Sequence, residues 1–281
     1  MTDATDGNRW VAIGGVKVPT SIYGTAWKEE QTARFTRLAL EAGFRGIDTA
    51  NQRRHYHEAG IGEALREAGQ EGIFVQTKFT SVSGQDHRLP YDPNAPVATQ
   101  VAQSVDSSLR HLGVTTIDSY LLHGPSARDR LTAEDWEAWG GMEAAHRAGK
   151  VRLLGVSNVT LRQLEEVCRK GSVKPAVVQN RCLARTGWDR PVREFCRTRG
   201  IVYQGFSLLT ANPEVLRHPG VRAACARTGK TAAQVVFRFA LQAGMVALTG
   251  TTSPRHMAED LAIHDFALEA DEVRAIEQLA G

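Results

Sequence analysis

Polar side chains able to move protons or grip a polar ligand recur at the ends of short β-branched runs. Asp48 closes FRGID (44–48), Lys78 stands at the end of IFVQTKF (73–79), and His123 closes IDSYLLH (117–123). Ser157 and Asn158 end VRLLGVS (151–157), Gln179 lies in AVVQN (176–180), and Phe206 with Ser207 end IVYQGFS (201–207). A carboxylate, an ammonium and an imidazole from successive strands make a site that shifts proton affinities, because a lysine ammonium beside a phenol or imidazole favours that group's deprotonated form. Any one of these residues fits a hydrogen-bonded structural role equally well. Their convergence on equivalent strand ends is what points to shared chemistry.

The elements that must position them read as alternating strands and helices. With PTSIYGT (19–25) and MVALTGT (245–251) the strand candidates number eight. Val97, Val101, Val105, Leu109 and Leu112 form an apolar stripe at helical spacing. Thr160 with Gln163, and Thr231 with Gln234, have capping-box spacing, and Gly43, Gly113, Gly149, Gly171, Gly200 and Gly244 each stand where a helix should end in a left-handed residue. Eight strand–helix units predict a (β/α)₈ TIM barrel over residues 1–281 as one α/β domain, whose chemistry sits at the C-terminal strand ends. The competitor, a doubly wound sheet, lacks a GxGxxG after the first strand and a dividing linker. Before the barrel, WVAIGGVKVP reads as a β-hairpin turning at Gly14-Gly15 and plugging the N-terminal end.

Composition excludes other classes. With 42% hydrophobic residues, 23% charged residues and a net charge of +3, the chain of 281 residues can bury a core and shows no bias toward disorder or a nucleic-acid partner. Its apolar runs fall short of the ~20 residues of a membrane span. The polar, acid-bearing start MTDATDGNRW lacks the order of a signal peptide, so a cytoplasmic location is expected. Cys168, Cys182, Cys196 and Cys225 are far apart and read as reduced thiols with no metal role.

The sequence resembles the aldo-keto reductase family in GFRGIDTA (43–50), EAGIGEAL (58–65), VQTKF (75–79), SVDSSLRHLGVTTIDSYLLH (104–123), GKVRLLGVSN (149–158), PAVVQN (175–180), GKTAAQVVFRFALQAG (229–244) and GTTSPRHMAEDL (250–261). The resemblance implies NAD(P)H-dependent reduction of an aldehyde or ketone, with NADP as the cofactor and NAD a close alternative, and a small carbonyl compound as the partner of a monomer or weak homo-oligomer. It makes Asp48, Lys78 and His123 catalytic, and puts Ser157, Asn158 and Gln179 on the nicotinamide carboxamide with Phe206 stacked on the ring. Ser207 and Leu209 would line the pyrophosphate, and Gly24, Thr25, Asp48, Gly250, Thr251, Thr252, His256, Glu259 and Asp260 complete the implied cofactor set. Trp27 looks like the substrate-facing aromatic, or else a core tryptophan at a loop base.

Two departures stand out. The family's catalytic tyrosine follows the aspartate by five positions, where this chain has Arg53; Tyr56, eight positions on, is the expected proton donor, with His55 and His123 as rivals. Lys78, held charged by Asp48, is expected to lower the phenol's pKa. In the last motif, Gly250 and His256 replace the cations that often bind the NADP 2′-phosphate, while Glu259 and Asp260 add negative charge and Arg255 stands nearby. Weak phosphate discrimination follows. The chain also ends soon after ADEVRAIEQLAG, which predicts an open pocket. Two other readings stay open: a nucleotide-binding sensor without catalysis, and a hydrolase binding metal through His55 and His57.

Overall fold

A computed structural model describes residues 9–279, so most of the polar start lies outside the described residues. A hairpin of β1 (Trp10–Ile13) and β2 (Val16–Pro19) precedes the barrel strands β3 (Ser21–Gly24), β4 (Gly46–Asp48), β5 (Phe74–Phe79), β6 (Ile117–Leu122), β7 (Val151–Ser157), β8 (Val177–Arg181), β9 (Val202–Phe206) and β10 (Val246–Thr249). Each parallel strand pairs with its sequence neighbours, and β10 closes on β3 through Leu248 and Ile22, which makes the (β/α)₈ barrel and leaves no open edge. The helices between strands are α1 (Thr32–Ala42), α2 (Glu58–Ala68), α3 (Val97–Leu112), α4 (Ala133–Arg147), α5 (Leu161–Lys170), α6 (Arg190–Arg199), and α7 (Pro219–Thr228) with α8 (Ala232–Gln242); α9 (Pro254–Leu261) and α10 (Ala270–Glu277) follow β10.

The local signals explain these elements. Both expected capping boxes form, at Thr160 and Thr231, and two more form at Thr132 with Asp135 and at Glu269 with Glu272. Gly14 and Gly15 both have positive φ, as a two-residue turn between strands requires. Of the helix-ending glycines, Gly171 departs from expectation: its φ is −58°, and a Cβ there would meet Trp139 Nε1 at 2.7 Å and Val167 O at 2.9 Å. Lack of room, not handedness, demands glycine at that end.

Apolar burial divides into three regions. Val16 and Val18 of the hairpin join Ile22, Phe74, Leu121, Leu153, Val177, Val202, Val246 and Leu248 in one buried cluster, so the hairpin plugs the barrel at the end opposite the polar strand ends. Between strands and helices lie a large cluster around Tyr120, Trp139, Trp188 and Phe239 and a smaller one around Phe44, Ile61 and Leu112. Cys182 and Cys196 are buried, Cys168 and Cys225 are partly so, and all four are free thiols. Among the described residues no helix is long and apolar enough to cross a membrane.

Candidate active site

The strand ends deliver their polar groups to one mouth. Lys78 Nζ donates to Asp48 Oδ1 at 2.7 Å, Asp48 Oδ2 at 2.8 Å and the Thr49 carbonyl at 2.7 Å, and the pair is almost completely buried. Three N–H groups meet three acceptors, so the ammonium is fully committed. Burial lowers the Lys78 pKa and Asp48 opposes that shift. Asp48 Oδ1 also accepts from Gln76 Nε2 at 2.7 Å and from Gln179 Nε2 at 2.9 Å.

Above the pair lies Tyr56. Its ring centroid is 5.5 Å from Lys78 Nζ and 6.0 Å from the His123 ring, which it meets edge-on. The longer loop achieves this by turning Arg53 outward, where the guanidinium pairs with Glu30 at 2.7 Å, while Tyr56 N donates to the Gln52 carbonyl. His55, the rival, packs against Trp27 with ring centroids 3.9 Å apart and the planes tilted by 41°. His57 lies 3.9 Å from Glu30, so the two histidines of the metal reading face different neighbours. Burial first, and then the Asp48 charge, push the Tyr56 phenol above its ordinary value. This corrects the expectation that Lys78 would lower it: the ammonium is neutralised by the carboxylate it holds, and desolvation of the phenolate dominates.

His123 Nδ1 lies 2.7 Å from the Thr80 hydroxyl. Burial, aided by the charges of Lys78 and His55, lowers its pKa to about 3, so the ring is neutral at physiological pH. Asn158, held at φ 55°, donates to the His123 carbonyl at 2.8 Å and to Ser157 Oγ at 3.2 Å, and Ser157 Oγ donates to the Gln179 carbonyl. Gln179 Oε1 has no partner among the described residues. Arg181, two residues on, lies over the Phe206 ring at 5.5 Å, and the two are register partners across β8 and β9. Ser207 adopts φ 57° directly after, and Leu209 packs partly on the outer core.

On the β3–β10 side, Thr25 is buried with its hydroxyl on the Asp48 carbonyl, so the side chain is structural. Gly24 and Gly250 approach closely, and a Cβ at 250 would meet Gly24 O at 3.1 Å and Lys28 Nζ at 3.6 Å. Thr251 accepts from the Tyr23 hydroxyl through its carbonyl, and Thr252 and His256 are exposed. The negative charge expected from Glu259 is offset by a cation, and that expected from Asp260 is opposed by burial. Glu259 pairs with Arg255 at 2.8 Å, one turn away. Asp260 is buried, accepts from Thr249 Oγ1 at 2.6 Å, and is pushed up to about 6 by burial. Trp27 is 71% exposed with φ 63°, which excludes the core alternative and leaves it on the rim.

Four residues around the site escaped the sequence reading: Gln76, Gln204, Thr80 and Lys28. The first three carried a usable signal, because residues two apart on a strand share a face. Gln76 and Thr80 flank Lys78 at that spacing, and Gln204 precedes Phe206 by two. Lys28 is 6% exposed, donates to the Gly250 carbonyl at 2.7 Å and has no acidic partner among the described residues; burial lowers its pKa to about 8.

The family model described as the aldo/keto reductase family matches residues 11–212, and the chain belongs to that family, whose members are oxidoreductases using nicotinamide cofactors. It is 28% identical to an uncharacterized oxidoreductase, YtbE, of Bacillus subtilis, over 94% of this chain and 90% of that one. It is 30% identical to the methylglyoxal reductase DkgA of Salmonella typhimurium, over 90% of this chain and 86% of that one. Among solved structures, a Bombyx mori aldo-keto reductase in complex with NADP superposes with a TM-score of 0.82 at 25% identity, covering 96% of this chain and 92% of that one.

Proposed function

We propose that this barrel reduces an aldehyde or ketone with a nicotinamide dinucleotide, using Tyr56 as the proton donor. The carrying observation is the Tyr56 ring lying 5.5 Å from the Lys78 ammonium and 6.0 Å from the His123 ring, with that ammonium paired to a buried Asp48. The residues suit such a cofactor in their donor set. Gln179 Oε1 is an acceptor for a carboxamide N–H, Phe206 offers a stacking face, and Lys28 beside the Gly24–Gly250 backbone offers positive charge for phosphate. When bound, the dinucleotide supplies hydride to the carbonyl carbon.

The chain's residues do the rest. A Thr80 hydroxyl donating to Nδ1 would leave the His123 proton on Nε2, from which the ring would donate to the carbonyl oxygen, orienting it and favouring the charge that develops there. Tyr56 gives its proton to that oxygen as the alkoxide forms. A raised phenol pKa is compatible with the role, because an alkoxide is a far stronger base than a phenolate. Lys78 stands beside the ring, held in place by Asp48, and its ammonium offsets the Asp48 charge that disfavours the phenolate left behind.

Lys28 is the cation best placed for the pyrophosphate. Arg255, tied to Glu259, together with the exposed His256, gives modest discrimination for the 2′-phosphate, so NADPH is preferred over NADH by a small margin. Incubation with NADPH or NADH across a panel of aldehydes, ketones and dicarbonyls tests the reading. Turnover is expected; tight nucleotide binding with no turnover on any of them would replace the enzyme with a nucleotide sensor.

A further inference from the structure

Beneath the Asp48–Lys78 pair, three glutamines from three strands form a buried set: Gln76 on β5, Gln179 on β8 and Gln204 on β9. Elementary chemistry orients every amide in it. A carboxylate only accepts, so the Gln76 and Gln179 atoms at 2.7 Å and 2.9 Å from Asp48 Oδ1 are NH₂ groups. Each sends its second N–H to Gln204 Oε1, at 2.7 Å and 2.9 Å, which uses both lone pairs of that oxygen. Gln204 Nε2 then returns a bond to Gln76 Oε1 at 3.0 Å. What remains without a partner among the described residues is Gln179 Oε1 and the second N–H of Gln204 Nε2. An isolated amide turns readily about its terminal torsion and presents either oxygen or nitrogen to a ligand. Turning that of Gln179 would set Oε1 against the Asp48 carboxylate and against Gln204 Oε1, two acceptors facing an acceptor, and would leave both of those oxygens short of a donor.

We propose that Gln204, braced by Gln76, is a positioning residue that locks Gln179 as a hydrogen-bond acceptor, so that the site selects a ring substituent carrying an N–H. This rests on the reading above that a nicotinamide dinucleotide binds at this mouth. Asp48 supplies the first constraint, and Gln204 the second. Removing Gln204 strands one buried N–H on each of the other two glutamines and withdraws half of what opposes the turn. The same carboxylate oxygen therefore serves the Lys78 ammonium and the recognition of the cofactor's amide.

The test is direct calorimetric binding of NADPH and of its 3-acetylpyridine analogue, in which a methyl replaces the amide NH₂, to the wild type, Gln204→Leu and Gln204→Glu, with thermal unfolding recorded alongside. The wild type should prefer NADPH by roughly tenfold, the effect of one hydrogen bond whose loss leaves an acceptor unpaired. In Gln204→Leu the ratio should fall toward unity, mainly through weaker NADPH binding. The carboxyl of a glutamic acid accepts from the Gln179 and Gln76 NH₂ groups whether neutral or ionised, so Gln204→Glu should keep the wild-type ratio at every pH. It also keeps the test alive if the leucine variant does not fold. A wild-type ratio in the leucine variant, or a ratio lost in the glutamate variant, would make Gln204 a structural residue only and overturn the proposal. Equal binding of both nucleotides by the wild type would overturn it while sparing the cofactor reading; binding of neither would overturn both.

Discussion

Asp48 and Tyr56 are eight residues apart in the chain and serve one site, yet the protein holds them by opposite means. Asp48 ends a strand inside a closed barrel, and its carboxylate collects Lys78, Gln76 and Gln179 from two other strands. Tyr56 hangs in a loop fastened by a few backbone bonds, by the Arg53–Glu30 pair, and by the bond from Trp27 N to the His55 carbonyl at 2.8 Å. No hydrogen bond from its hydroxyl to another described residue accompanies the ring contacts. Damage on the strand side should therefore cost stability and activity together, while damage on the loop side should cost activity alone.

The largest effect is expected at Lys78. Lys78→Met leaves Asp48 buried without its counter-charge, which costs about 3–5 kcal/mol when one partner of a buried pair is removed. That should appear as a fall in Tm of roughly 10 °C in thermal unfolding. Turnover should also be lost. A variant that unfolds like the wild type would show that the glutamines alone hold the carboxylate, and would weaken the contrast between the two halves.

Next comes Tyr56→Phe, which removes the hydroxyl and keeps the ring. Turnover should fall by a factor on the order of 10²–10⁴ with unchanged Tm and unchanged nucleotide binding. His55→Ala, by contrast, should lose only the packing against Trp27 and retain most activity. The reverse pattern in steady-state kinetics would transfer the proton role to the histidine.

Smaller effects concern pH. His123, lowered to about 3, stays neutral and Tyr56, raised, stays protonated, so kcat for reduction should be level between about pH 6 and 9. Nucleotide affinity should weaken above pH 8, where Lys28 loses its proton. Stability responds with the opposite sign. From about 8, its folded value, to its ordinary 10.5, the unfolded chain binds more protons at Lys28 than the folded one does, so this residue makes the fold more stable as pH rises through that window. Nucleotide titrations at several pH values that found no weakening above pH 8 would move the phosphate contact away from Lys28.

The smallest effect belongs to the rim. Trp27→Ala should raise KM for bulky carbonyl compounds a few-fold and leave Tm in place, since an exposed ring contributes little to packing. A large drop in Tm would mean that the Trp27–His55 contact holds the loop that carries Tyr56.

Strand-borne features were legible because strand periodicity and strand ends are written in local order. Asp48, Lys78 and His123 could be placed on one face from the βα alternation alone, and the hairpin from Gly14-Gly15. The glutamine set was missed for a related reason: in a β-rich run a glutamine reads as filler, and only its partners on other strands show that it completes a network. Loop conformation has no such period. Whether Tyr56 or His55 faced the site depended on where Arg53 and Glu30 met, a contact between residues 23 apart. Arg255 with Glu259 was readable as an i,i+4 pair, and seeing it would have tempered the negative charge assigned to that helix. The direction of the phenol shift was not readable, because it is set first by how deeply the fold buries the ring and then by how near it brings the Asp48 charge.

The central claim, that this mouth moves hydride from a nicotinamide dinucleotide to a carbonyl carbon under the control of Tyr56, is tested most directly with cofactor deuterated at the transferring carbon and mass analysis of the alcohol formed. The account predicts one deuterium on the former carbonyl carbon with the wild type, and the same label at a greatly reduced rate with Tyr56→Phe. Alcohol formed without deuterium, or no alcohol from any carbonyl compound despite tight nucleotide binding, would contradict it.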